Sequence, residues 1–165
     1  MEIRNSEEGW EFAGIDPFIL ELLRALPSCA TTEDDAARKR LFSAPTGGAD
    51  ADADADADWR EYVEPELAAL FQSHLDIVSG DLAAITETEE GALLRIPAAH
   101  ARAWIHTFNQ ARLALGARHD VTEDDTSGRR DVFGDKEPDA QKAFALMQID
   151  FYAWLLSLLL SRTEL

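Results

Sequence analysis

The sequence predicts a mainly α protein: a single-domain helical bundle around a buried C-terminal helix, with one short two-stranded β-ribbon as an addition. Three observations carry that expectation. The stretch from Asp139 to about Arg162 is apolar almost all round when projected at about 100° per residue, which places such a helix at the centre of a bundle or in an oligomer contact. Apolar residues recur at helical spacing in two further long stretches, one opening at Asp16-Pro17 and one at Pro97. Only two short segments, 10–14 and 92–96, have the composition of strands.

Taken in order, Trp10, Phe12 and Gly14 alternate with Glu11 and Ala13, so this segment is read as extended. Asp16 then supplies an N-cap and Pro17 a first helical residue. Phe18, Ile19, Leu22, Leu23 and Leu26 form the apolar stripe of a helix expected to end at Pro27. A shorter helix is expected from about Thr32 to Phe42, with Thr32 and Asp35 as its capping pair. Residues 43–58 contain Gly47-Gly48 and five aspartates alternating with alanines, and offer no apolar face. They are expected to form a flexible acidic insertion. Asp58 and Glu61 have the spacing of a capping box, and Pro65 either kinks the next helix or begins it. That helix carries Leu67, Leu70, Phe71, His74, Ile77 and Val78 on one side. Segment 92–96, between Gly91 and Pro97, is expected to pair with 10–14. The helix from Pro97 to about Gly116 presents Ala101, Trp104, Ile105, Phe108, Ala111 and Leu115, and the polar stretch 119–138 leads to the last helix, capped by Asp139.

Composition excludes several functions. The 165 residues suffice for one domain, and 46% of them are hydrophobic, enough to fill a core without staples. Against 15 Lys and Arg stand 32 Asp and Glu, a formal charge of −17 that repels phosphate backbones and anionic membrane surfaces. No nucleic-acid or membrane partner is expected. The basic runs Arg38-Lys39-Arg40 and Arg129-Arg130 are flanked by acids and read as solvated charge pairs. The single cysteine, Cys29, excludes an internal disulfide, and neither a signal peptide nor a membrane span is read from the chain, so a cytoplasmic location is expected. No glycine-rich phosphate loop, G-x-S-x-G or H-E-x-x-H motif occurs. The aspartate run lacks the glycine and closing glutamate of an EF-hand, and the spacing of the four histidines is no zinc pattern, so no metal or cofactor is expected.

Four polar residues stand out as ligand or partner candidates: His74, Asn109, Arg112 and Asp150. His74 lies within an apolar arc and must find a hydrogen-bond partner, as a neutral structural imidazole or as a metal or proton-transfer group. Arg112 falls inside the arc of its helix, bordered by Asn109. A guanidinium there snorkels to water or pairs with an acid; Asp150 is the economical partner, with Glu64, Asp76 and Asp81 as alternatives. Of the tryptophans, Trp59 is the candidate for an exposed contact, the others reading as core.

Arg95-Ile96-Pro97, Trp104, Asn109, Arg112-Leu113-Ala114-Leu115-Gly116 and Val121-Thr122-Glu123-Asp124 resemble a bacterial family of small proteins of unknown function, often encoded beside the adaptor ClpS of the Clp protease. The resemblance spans about residues 93–160, and the Ala-Asp run departs from it. It implies a mainly helical fold and a cytoplasmic location, and no catalytic residues. Two functions from different classes are therefore weighed. The favoured one is a non-enzymatic regulatory or adaptor-like domain that binds a protein partner or a second copy of itself, linked to proteolysis or stress control. The alternative is a small hydrolase or ligand-binding domain with a polar pocket around His74, Asn109, Arg112 and Asp150.

Overall fold

A computed structural model describes residues 1–46, 52–122, 125 and 139–161. The chain forms strands β1 (Glu2–Ser6) and β2 (Gly9–Ile15) and helices α1 (Pro17–Ala30), α2 (Asp35–Leu41) and α3 (Ala53–Asp58). A π-helical turn (Trp59–Val63) leads into α4 (Glu64–Ala83), then β3 (Thr86–Thr88) and β4 (Gly91–Pro97). A short 3₁₀ turn (Ala98–His100) opens α5 (Ala101–Arg118), and α6 (Ala140–Leu160) follows. The protein is thus largely helical, with one small antiparallel sheet of strand order β1-β2-β4-β3.

The expected ribbon is the centre of that sheet. Trp10 pairs with Ile96 and Phe12 with Leu94, so both strands direct their large apolar side chains to the same face, while Glu11 and Arg95 pair on the other. Two further strands make four. Neither β1 nor β3 has an apolar alternation to announce it, because both are polar edge strands, the kind that resists unwanted pairing. A bulge after Phe12 corrects the simple alternation: Gly14 adopts φ 62°, and Ile15 rather than Gly14 turns to the core, 1% exposed.

Several helix boundaries differ from expectation for identifiable reasons. Helix α1 starts as expected, with Asp16 accepting from the Ile19 N–H at 3.0 Å, but it passes through Pro27 to Ala30. Donors from other helices serve the carbonyls near the proline: the Tyr152 hydroxyl donates to Leu22 O (2.8 Å), Gln110 Nε2 to Ala30 O (2.5 Å) and Arg118 Nη1 to Cys29 O (2.7 Å). Helix α2 is capped by Asp34, not Thr32. Within the expected insertion 43–58, residues 53–58 are helical. Alanine is the best helix former, Asp52 accepts from the N–H groups of Asp54 and Ala55, and carboxylates favour a helix start. Residues 47–51 of that stretch, and most of 119–138, lie outside the described residues. Asp58 caps nothing, since helix already precedes it. Pro65, lacking an N–H, widens the ladder behind it, and the Glu64 N–H reaches back five residues to Trp59 O.

The centre of the fold is α5, not the C-terminal helix. Nine of its 18 residues are buried, among them Trp104, Phe108, Ala111 and Ala114 at 1% or less. Its alanines let α1, α2, α4 and α6 approach closely, while β2 and β4 pack their apolar face into the same core. Helix α6 buries one side, through Ile149, Tyr152, Leu155, Leu156 and Leu159, and leaves Phe144, Trp154 and Leu160 between 42% and 49% exposed. By length and apolarity α6 could cross a membrane, contrary to the expectation that no segment could, yet it packs along α5 and hydrogen-bonds α1.

Candidate functional site

The four candidate residues fall on three packed helices, and no hydrogen bond or ion pair joins any two of them. His74 is buried on the side of α4 that meets α5. Its ring stacks on His106, with centroids 4.8 Å apart and planes within 3°, and its Nδ1 is buried without a partner. Burial pushes the imidazole below its ordinary value, and the neighbouring His106 and Arg102 add to the shift. In place of the expected carbonyl or carboxylate partner stands the stacked ring of His106. Parallel rings cannot both aim in-plane lone pairs at one ion, and no group of three or more His, Cys, Asp or Glu placed to hold a metal occurs among the described residues.

Asn109 is exposed, as is Asp150. Arg112 is half-buried and forms no ion pair among the described residues, so the expected bridge to Asp150 is not made. The alternative acids have other partners: Glu64 pairs with Arg38, Asp76 accepts from Gln72, and Asp81 is held by two rings. The buried arc of α5 runs through Ala103, Thr107, Gln110, Ala111 and Ala114 and puts Arg112 at its margin. There its Nε is covered and unpartnered while the terminal nitrogens reach water, which is snorkelling rather than a buried bridge.

The structure instead assembles polar groups that the sequence did not single out. Asp81, at the end of α4, accepts from Trp104 Nε1 at 2.8 Å and lies 2.9 Å from His100 Nδ1. This carboxylate pins the end of α4 to the start of α5 and fixes the His100 ring. Arg118 gathers the end of α1: its Nε meets Asp34 Oδ2 (2.6 Å), and its terminal nitrogens donate to Cys29 O and Thr31 O. Cys29 is buried against Gln148 and the Tyr152 hydroxyl, and burial pushes its thiol up, the reverse of thiolate activation. The signals for these roles are faint in sequence. An arginine in a last helical turn and a glutamine one turn from a threonine become informative only when a neighbouring carbonyl is known to be open.

Two exposed features complete the surface. Phe144, Trp154 and Leu160 stand out from α6, with half-buried Met147, Phe151 and Leu158 between them, and Phe151 stacks on Trp154 at 6.2 Å. On α4, the stripe that is covered at His74, Val78 and Leu82 runs out exposed at Leu70, and Val63 at the end of the π-turn is exposed too. Trp59, expected as an exposed contact, is half-buried, and Trp154 takes that place.

A family model described as "Domain of unknown function (DUF2017)" matches residues 5–163. The chain belongs to that family. No curated protein and no solved structure matches it. The match takes in β2, β3 and β4, the end of β1, the six helices of the described residues and the acidic run, so a DUF2017 domain extends well beyond the segment 93–160 that carries the sequence resemblance.

Proposed function

We propose that this DUF2017 domain is a non-enzymatic, adaptor-like protein-binding module, with the outer face of α6 as its docking surface. The observation that carries this reading is the apolar strip of exposed Phe144 and Trp154 with half-buried Met147, Phe151 and Leu158 on a helix whose other side anchors the core. Contiguous exposed apolar surface rimmed by polar residues is the common mark of an interaction site, and an aromatic pair such as Phe151–Trp154 is its usual anchor. The exposed Asp150 lies on the same helix, in a chain of net charge −17, which favours a basic partner with an apolar centre. A component of regulated proteolysis or stress control is the class of partner that the family resemblance implies.

The test is affinity capture with the tagged full chain and with a Phe144→Ser, Trp154→Lys double variant. A specific partner held by the parent chain and lost by the variant, with both melting within a few degrees of each other, is the expected outcome. Identical capture by both proteins would remove α6 as the docking surface.

A further inference from the structure

Although the chain has 32 carboxylates for 15 basic residues, Lys39, Arg40, Arg60, Arg102 and Arg112 form no ion pair among the described residues. Two of them flank one hollow of about 470 Å³, lined by Lys39, Phe42, Ser43, Ala44 and Arg60, with no carboxylate among the described residues of its lining. Lys39 comes from the last turn of α2 and Arg60 from the π-turn, whose wide ladder is set by Pro65. Phe42 makes a rigid floor. It is 6% exposed, stacks on Phe71 at 5.5 Å and lies under the Arg38 guanidinium at 5.6 Å. A neighbouring hollow of about 340 Å³ shares Lys39 and Phe42; its two acids are Asp35 and Glu64, the second already paired with Arg38.

We propose that the hollow between α2 and the π-turn is a binding site for the phosphate group of a small phosphorylated molecule. Lys39, Arg60 and Ser43 line the same hollow, and a guanidinium, an ammonium and a hydroxyl are the donor types that suit an oxyanion accepting several hydrogen bonds at once. The apolar floor and the room beyond one phosphate accommodate an organic remainder. The site is independent of the α6 face, so it stands or falls separately from the docking function.

The test is calorimetric titration of the full chain, at low ionic strength, with inorganic phosphate, phenyl phosphate and succinate. Saturable one-site binding of the phosphates is expected, weakened at least about tenfold by Lys39→Gln with Arg60→Gln and largely restored by Arg60→Lys in the Lys39 background. Both side chains are exposed, and unchanged melting confirms that the double variant folds. Tighter binding of phenyl phosphate than of inorganic phosphate assigns an organic phosphate; equal binding assigns the free ion. Arg102→Gln, which removes an exposed cation of α5, is expected to leave binding intact. The proposal is overturned by absence of saturable binding, by succinate binding as well as phosphate, by retention of binding in the double variant, or by an equal loss in Arg102→Gln.

Discussion

Helices α5 and α6 lie side by side and invert what their compositions suggest. Helix α6 is the more apolar, yet seven of its 21 residues are buried against nine of 18 in α5, which carries three arginines, a histidine, an asparagine and a glutamine. Burial is decided by how closely neighbours can approach, and the alanines at 101, 103, 111 and 114 admit other elements on half the circumference of α5. The bulky side chains of α6 fill the core on one side, and on the other Phe144 and Trp154 stay exposed among the described residues. Apolar surface beyond what the fold can cover is then available for binding.

The contrast can be broken first at Trp104. It is fully buried and hydrogen-bonded to Asp81, so Trp104→Ala is expected to cost about 4 kcal/mol in urea unfolding. If it costs no more than a substitution of Trp154, α5 is not the centre. Ala111→Leu, adding bulk where α5 is 0% exposed, should destabilise by about 2 kcal/mol in the same assay. Tyr152→Phe sharpens the role of the inner side of α6: it removes the buried hydrogen bond that ties α6 to Leu22 O of α1 and is expected to cost about 1.5 kcal/mol.

A pH series tests the α4–α5 seam. The unfolded His74 imidazole titrates near its ordinary value of 6.5 and the folded one lower, so on acidification the unfolded chain binds a proton that the native one resists. That contribution is complete above the unfolded value and is lost as pH falls from there through the folded one. The urea midpoint should therefore fall below about pH 6.5, and less steeply in His74→Leu. An unchanged pH profile in that variant would show that the stacked pair has no part in it. The smallest effect is expected on the outer side of α6, where Trp154→Lys should change stability by less than about 0.5 kcal/mol. A loss of several kcal/mol there would mean the strip is covered in solution.

Much of this was legible in the sequence because it depends on local patterns. The Asp16 and Asp139 caps, the extended character of 10–14 and 92–96 and the helices from Pro17, Pro97 and Asp139 need only neighbours a few residues away. The helix through Pro27 needed Tyr152, Gln110 and Arg118, from two other helices. The polar edge strands β1 and β3 exist because β2 and β4 offer open ladders, and nothing in their own residues announces them. Among the candidate residues, the sequence correctly placed His74 on a buried face but could not supply its stacking partner. It placed Arg112 inside the apolar arc, which tertiary packing centred elsewhere.

What the sequence determined by itself was the helical class of the fold, the starts of the first and last helices and the net charge, since propensity, capping and charge act over short range. Only the tertiary structure decided which helix is central, which carboxylate meets which cation, and which cations remain unpaired around a hollow. Those outcomes depend on the directions from which distant segments arrive, and periodicity within one segment holds no record of them.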